Sequence, residues 1–494
     1  MSPTSPVEPP LLRRSWSFDR WLRFVLLMLV ASPVVLVIGF YVEEKIRGRA
    51  AWRAYEAAAT QRGVKLDFAD FIPPKIPDAE NFASIPIFDE VFRLSDKGQE
   101  TVDPFQFPTE EPPPLSDVRR QQLADLAAWQ KYFVETKLLP TAGDNAAADV
   151  LQALEHYAAP LAELRAGALR PHCRFPVHWE KGASTPLPHL GLIKNAAKLC
   201  ALRCTAHLDL GQSAAAYEDF HDGLLLSAAI TDEPAIISGL VRLASVIVMQ
   251  NAVWAGLARQ QWAEPELHKI ADNLAALDWF RAYLFSMGSE RGATNLIINQ
   301  LYEKPQDLFA VASMGDHPLP SNSWVMPLYP SGWFDQSKVR MNHFYDELLA
   351  RIDPAQRRFF GERTIPSSPK NTTTLPAKIR WMPFMLIAPV MEDIEAHFVL
   401  AATMTDLARL ACALERCRLA RGAFPKALSE LVPEFLPALP AEIVNGEPYR
   451  YRRTDDGSFV LYSVGLDLRD DGGVIDPKKS AKEQADWVWR YPTK

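Results

Sequence analysis

Four residues with metal-binding side chains crowd one stretch: His172, Cys173, His178 and His189. Imidazole and thiolate are ligands that zinc prefers, but structural zinc sites use fixed short spacings, and this set matches none of them. The plainer reading is packing and capping in a loop. Ser367-Ser-Pro-Lys370 fits the S-x-x-K pattern of an activated serine. Such a pair needs a helical turn to bring lysine beside serine, and proline breaks that turn. Glu180, Glu290 and Asp335 could in principle act as paired carboxylates in a hydrolase, although no spacing brings two of them together. Trp333 and Phe334 stand just before a helical pattern, and Asp335 is placed to cap its first turn. The aromatic pair is either a docking patch for a partner or a loop anchored in a groove between helices. The sequence has no G-x-S-x-G, no H-E-x-x-H and no glycine-rich phosphate loop.

The element that decides where any chemistry happens is an uncharged apolar run, Phe24 to Val42. At ~1.5 Å per helical residue it is long enough to cross a hydrocarbon core of about 30 Å. Trp21 and Tyr41 stand near its two ends, where amphipathic rings favour the interface. Pro33 lies inside the run and does not forbid a span. A cleaved signal peptide is the rival reading, but its apolar core would be shorter and would end in a small-residue site. This run exits instead into Phe40-Tyr-Val-Glu-Glu44. An uncleaved transmembrane anchor is therefore expected over residues 21–42. Arg13, Arg14, Arg20 and Arg23 precede the run, and Lys45, Arg47, Arg49 and Arg53 come after it, so the flanking charge is balanced. A short basic tail is costly to move across a membrane, whereas a long domain translocates largely regardless of charge. Residues 1–20 are thus expected in the cytoplasm and the bulk of the chain outside it.

The chain has 494 residues, of which 48% are hydrophobic. The length beyond the anchor is enough for two or three cored domains. A net charge of −7 leaves no electrostatic footprint for nucleic acid. The 40 prolines are about 8% of residues against a usual ~5%, and they gather in loops such as 73–77 and 104–114. The five cysteines do not pair well. Cys200 and Cys204 are one helical turn apart, an awkward geometry for a bridge, and Cys412 and Cys417 fall on different helix faces. Small buried hydrophobes are the better reading.

An alanine-rich helix is expected to extend the span from residue 43 to about Gly63. Residues 67 to 116 are proline-broken and read as an extended segment or a linker. From Leu115 the pattern is helical, with Leu123, Leu126, Trp129, Tyr132 and Phe133 on a three-to-four spacing. A second helix is expected over Ala147 to Gly167. A helical hairpin is expected from Leu192–Leu210 and Ser213–Ile230, broken at Gly211. Leu210-Gly211 with Ala216 and Phe220 resembles half of a tetratricopeptide-type hairpin, but only one copy is legible and arrays need about three. The apolar stretch Glu233 to Ala258 could be a second span. Arg242, Gln250 and Asn251 within it argue for a buried core helix. More helices are expected across 264 to 303 and from Gln336 to Ile352. The segments are therefore 43–114, a helical domain over 115–380, and 381–494.

A long helix is expected from Met391 to Arg421, with an apolar stripe of Leu400, Met404, Leu407, Ala411 and Leu414. Gly422 is placed to end it. Beyond it lie Phe424-Pro425 and a Leu/Pro-rich turn region. Two short strands come next, Tyr449 to Arg453 and Ser458 to Val464, joined by the turn Thr454-Asp-Asp-Gly457. Then comes an acidic glycine loop, Gly465-Leu-Asp-Leu-Arg-Asp-Asp-Gly-Gly473. This order resembles the periplasmic domain of the major pseudopilins of type II secretion. The matching residues are Gly422, Phe424, Pro425, Tyr449, Tyr451, Tyr462, Ser463, Gly465, Asp467, Gly472 and Gly473. The resemblance covers residues 400 to 476, under a fifth of the chain. The chain as a whole resembles membrane-anchored bacterial proteins with no assigned activity.

The resemblance implies a small α+β module at the cell envelope, used in contacts with secretion machinery. It also implies a calcium loop, in which Asp467, Asp470, Asp471 and Asp476 would supply the hard oxygens that Ca²⁺ prefers. Leu468 and Arg469, inserted before the aspartate pair, depart from the family spacing. Pseudopilins carry a cleavable leader and place their membrane helix directly before this domain. Here some 350 residues intervene. Gly39-Phe-Tyr-Val-Glu43 looks like the prepilin cleavage motif but lies after the apolar run instead of preceding it. A polymerising pilin subunit is not expected.

The expected fold is mainly α: an N-terminal transmembrane helix, a helical hairpin or bundle-like body, and a small α+β pseudopilin-like C-terminal domain. The expected function is a membrane-anchored extracytoplasmic protein with an interaction or structural role at the bacterial cell envelope. The alternative is an envelope-anchored hydrolase with its site in the helical domain. A polar cleft at Glu180 or Glu290 would favour the alternative.

Overall fold

The computed structural model describes residues 18–109, 111–179, 185–304, 328–361, 363–475 and 486–491. Among the described residues helices make up 62% and strands 5%, which makes the fold mainly α. It begins with α1 (Phe18–Gln61), one helix of 44 residues that runs through Pro33 without a break. Its two halves have different surroundings. In the first half the large apolar side chains point outward, with Leu27 67% and Leu36 72% exposed. This half is long and apolar enough to span a membrane. The second half is alanine-rich and lies against the body, with Tyr55 and Ala59 buried. The helix stops where Gly63 takes a φ of +73° and the amide of Val64 donates back to the carbonyl of Ala59. That arrangement satisfies carbonyls which the last turn would otherwise leave open.

The body is built from α2 (Pro86–Asp96), α3 (Leu126–Glu135), α4 (Ala146–Leu154), α5 (Ala158–Ala168), α6 (His189–Asp209), α7 (Ser213–Ala228), α8 (Ile236–Ala258), α9 (Glu264–Ala275), α10 (Trp279–Glu303) and α11 (Ser331–Leu349). Helices α6 and α7 form the expected hairpin, turning at Gly211, and α8 packs along both. Three differences from the sequence expectations have local causes. Residues 67–116 include α2, in which Pro86 occupies the first turn, the one helical position proline favours. The stretch Ala147–Gly167 is two helices, separated by a tight turn at Glu155–Tyr157. Helix α11 begins at Ser331, so Asp335 lies inside it and Pro330 takes the capping position.

Helix α8 is interior, as its polar residues suggest. Gln250 Nε2 donates to Thr405 Oγ1 at 2.8 Å, and Asn251 Oδ1 accepts from the amide of Val118 at 3.3 Å. Arg242 lies 5.0 Å from the centre of the Trp279 ring, and burial pushes its guanidinium down to about 10. Such partners inside a folded body replace the water that these groups would lose.

After α11 come a two-stranded ribbon, β1 (Ile352–Asp353) and β2 (Arg358–Phe359), the short α12 (Leu375–Arg380) and the 40-residue α13 (Met382–Arg421). Gly422, at a φ of +77°, ends α13 as expected. Next is a three-stranded antiparallel sheet, β3 (Arg450–Arg453), β4 (Phe459–Ser463) and β5 (Trp487–Arg490), in that order. The turn Thr454–Gly457 closes the first hairpin, with the Gly457 amide donating to the Thr454 carbonyl. Strand β5 pairs Trp489 with Leu461 and Val488 with Tyr462. Its alternation sends Trp487 and Trp489 into the main core and Val488 to a second small cluster with Val460 and Tyr462.

Helix α13 is the spine. It packs against α8, α9, α10 and α11 and against β4 and β5. One apolar core runs unbroken from Phe68 to Trp489. Charges buried along α13 are paired. Arg351 Nη1 lies 2.7 Å from Glu395 Oε2. Asp406, 1% exposed, meets Arg357 at 3.1 Å and Arg409 at 3.4 Å and accepts from Tyr449 Oη at 3.2 Å. Removing one partner of such a set leaves a buried charge uncompensated.

Candidate functional site

An open cleft of 810 Å³ lies at the far end of α1. One wall is the irregular segment Phe71 to Pro77, with Pro73 and Pro74 at its centre. The opposite wall is the end of α7, at Leu225 and Ala228, and the first turns of α10, at Arg281 and Phe285. Arg170 ties the irregular wall in place: its Nη1 donates to the carbonyls of Asp78, Asn81 and Ser84 at 2.8 to 3.1 Å. Lys65 and the Arg281–Asp232 pair, 3.3 Å apart, stand at the rim. The lining thus mixes four prolines and three phenylalanines with small aliphatic and long charged side chains.

Two of the suggested zinc ligands line this cleft, and the four do not converge. His172 contributes its backbone, donating from its amide to Glu80 and accepting at its carbonyl from Phe82. Cys173 is partly buried; burial, with the charge of Glu233 nearby, pushes its thiol up, away from the thiolate a nucleophile or ligand needs. His178 lies 3.4 Å from Asp96. His189 is fully buried, stacked 3.9 Å from the Phe175 ring, with Nε2 3.0 Å from Glu233 Oε2. Among the described residues no three of His, Cys, Asp and Glu are grouped so as to hold a metal ion.

Of the candidate carboxylates, Glu290 lies in α10 and Asp335 in α11. Glu180 lies outside the described residues. Glu290 accepts from the amide of Ile236, at the start of α8, and burial pushes its carboxyl up to about 7. That value suits a general acid, but the group does not line this cleft, and its charge adds to burial in raising the Tyr345 hydroxyl. Ser367 donates to Glu347 Oε1 at 2.9 Å, which uses the hydroxyl in holding its loop to α11.

Trp333 and Phe334 are on the first turn of α11. Phe334 is 1% exposed and packs edge-on to Tyr329 and Tyr302, with ring centres 4.9 Å and 6.3 Å away. Trp333 meets Tyr329 and, on α1, Phe40. Both rings are packed within the chain, where they fasten α11 to its neighbours. In the acidic loop, Asp467 accepts from the amide of Arg469. Asp470 accepts from Tyr462 Oη at 2.9 Å and from the amide of Gly472 at 3.0 Å, and lies 3.4 Å from Arg450. Asp471 turns its amide to Asp486, a residue at the edge of β5 that no sequence motif singles out. Asp476 lies outside the described residues.

The junction of α1 with the body is the second place where unlike groups gather, immediately past the apolar run. Tyr41 Oη donates to the Leu328 carbonyl. Glu44, 4% exposed, accepts from Gln336 Nε2 at 2.8 Å and pairs with Arg47 and Arg380. Burial alone would raise its pKa; the Arg47 and Gln336 hydrogen bonds and the Arg380 charge bring it below the usual carboxylate value. Just beyond, a second cleft of 410 Å³ is lined by Arg49, Trp52 and Arg53 of α1, by Asn299, Tyr302 and Glu303 of α10, and by Asp335 of α11. In the sequence Arg49 and Arg53 read only as flanking charge; their four-residue spacing was the signal for a shared face. No known family model, curated protein or solved structure matches the chain.

Proposed function

We propose that this is a membrane-anchored protein of the bacterial cell envelope that works by contact with other proteins. In this reading α1 crosses the inner membrane, residues 1–20 are cytoplasmic, and the body stands outside the cytoplasm. The observation that carries it is the continuity of α1, whose exposed apolar half passes without a hinge into the half that holds the body. The 810 Å³ cleft, whose walls mix proline and phenylalanine with charged side chains, suits an extended segment of a partner: such a surface buries apolar area while its charges fix direction. The likeness of the C-terminal hairpin and acidic loop to pseudopilins supports a partner from secretion machinery. Calcium on Asp467, Asp470 and Asp471 belongs to the same reading, and a rise in melting temperature of the full chain with millimolar calcium would support it.

Removing residues 401–494 is a poor test, because the cut falls inside α13. The better comparison is the intact chain with Ala228→Trp, which fills the cleft from its α7 wall. Covalent capture from native membranes, with a photo-crosslinker placed at Phe285, reads the contact directly. A crosslinked partner lost in Ala228→Trp supports the reading. Crosslinks unaffected by the substitution, or a chain washed from membranes by alkaline carbonate, would overturn it.

A further inference from the structure

We propose that the 410 Å³ cleft beside α1 binds a zwitterionic phospholipid headgroup of the phosphoethanolamine type. The inference rests on α1 being a membrane span. Three observations carry it.

The first is depth. Val42 closes the apolar run, and at ~1.5 Å per residue Arg49 stands about 10 Å beyond it. The headgroup layer is about 5–7 Å thick on each side of the hydrocarbon core. Side chains on a helix lean toward its N-terminus, which here is toward the bilayer. Arg49 therefore reaches back to the outer edge of the headgroups, and Arg53, one turn further out, faces the same cleft.

The second is charge. Two guanidinium groups, Arg49 and Arg53, and two carboxylates, Glu303 and Asp335, share the cleft. Among the described residues no ion pair joins either arginine to either carboxylate; Asp335 meets Lys338 instead, at 3.9 Å. Opposite charges held apart around one cavity complement a ligand that carries both. A phosphate would take the arginines, whose planar forks suit its oxygens. A primary ammonium, with three donors, would take Glu303 and Asp335. Phosphocholine has the charges but no N–H to donate, and phosphatidylglycerol lacks the cation.

The third is rigidity. Arg49 Nη2 lies 3.3 Å from Tyr302 Oη. Lys338, almost fully buried, sits 3.8 Å from the centre of the Trp52 ring and donates to Asn299 Oδ1 at 2.9 Å. The three helices that form the cleft are thus pinned to one another by side chains at its floor, so little ordering is left for the ligand to impose.

The test uses the full chain, extracted in mild detergent from bilayers of equal phosphatidylethanolamine, phosphatidylcholine and phosphatidylglycerol, with retained lipids weighed by native mass spectrometry. Phosphatidylethanolamine should be retained about tenfold over either competitor. Arg53→Ala should remove that preference, and Glu303→Gln should shift it toward phosphatidylglycerol, with melting temperature and carbonate resistance unchanged in both. Equal retention of the three lipids would overturn the proposal, as would a preference that neither variant alters. Soluble glycerophosphoethanolamine is the second arm. If it binds the full chain in detergent as tightly as the lipid competes, the cleft takes a free metabolite and the lipid assignment fails. Loss of the chain from carbonate-washed membranes would instead sink the span itself, and the soluble arm would still read the cleft.

Discussion

Gly48 of α1 and Gly332 of α11 touch backbone to backbone. A Cβ on Gly48 would overlap the Gly332 carbonyl oxygen and lie 2.9 Å from its Cα. A Cβ on Gly332 would overlap the Glu44 carbonyl oxygen and lie 2.8 Å from the Lys45 amide nitrogen. The crossing is set immediately above the apolar run, between Glu44 with its ring of partners and the Trp52–Lys338 contact. It joins the apolar half of α1 to the body through main chain that no other residue type permits.

Any side chain at this crossing should therefore force the helices apart. Gly48→Val and Gly332→Val are each expected to cost about 1–3 kcal/mol, the usual range for overpacking. The double variant should cost less than the sum, because both relieve one contact. Thermal unfolding of the full chain in detergent measures this. Midpoints equal to the parent would show that α1 does not dock on α11.

Glu290 and Glu44 should give opposite responses to pH. Burial raises Glu290 from 4.5 to about 7, so the folded state holds a proton that the unfolded chain releases. Its contribution is fully present below about 4.5 and is lost as pH rises through about 7. Glu290→Gln keeps an acceptor for the Ile236 amide and should raise the denaturation midpoint at pH 8 while leaving pH 4.5 unchanged. Glu44 is lowered below 4.5, so its contribution is present above that value and fades as pH falls through its folded pKa. Glu44→Gln should accordingly destabilise the neutral protein and matter least in acid. A Glu290→Gln midpoint that tracks the parent at every pH would refute the raised carboxyl.

Trp489, fully buried between the sheet and α13, should report on the whole chain. Trp489→Ala is expected to cost about 3–5 kcal/mol, as for other large buried aromatics. Since one core runs from Phe68 to Trp489, the loss should appear as a single cooperative transition. Limited proteolysis along the denaturation curve decides it. Cleavage of the hairpin while the helical body stays protected would show two independent units.

The thiols should be silent in the folded chain. Cys200, Cys204, Cys412 and Cys417 are buried, and burial raises the first two well above their ordinary value. At pH 8 a polar maleimide should label Cys173 slowly and the other four only after denaturation. Rapid labelling of Cys412 in the native protein would contradict its packing.

Several elements are legible because a local signal suffices. The apolar run announces α1, Gly422 announces the end of α13, and Thr454–Gly457 announces the hairpin. The interior placement of α8 is written in Arg242, Gln250 and Asn251. Elsewhere the local signal carries the opposite sense. Proline reads as a breaker at Pro86, where it opens α2. Trp333 and Phe334 read as preceding a helix that already contains them.

The features hidden from the sequence depend on partners far away in the chain. Glu44 looks like an ordinary charged flank of a span, and nothing near it announces Gln336 and Arg380. Strand β5 is four residues long and joins the sheet from beyond the acidic loop, too short to be seen by periodicity. Neither cleft is readable, since each draws its walls from segments more than a hundred residues apart.

Unbroken helix from Val42 to Gln61 rises about 28 Å at ~1.5 Å per residue, and it brings the larger cleft to rest near its tip. With α1 as the proposed span and no swivel below it, that cleft would sweep a flat ring at constant altitude as the protein turned in the plane of the bilayer. Encounters then become two-dimensional. A neighbour in the same membrane whose recognition segment is displayed at that altitude is met again and again, while one standing much shorter or taller passes unread.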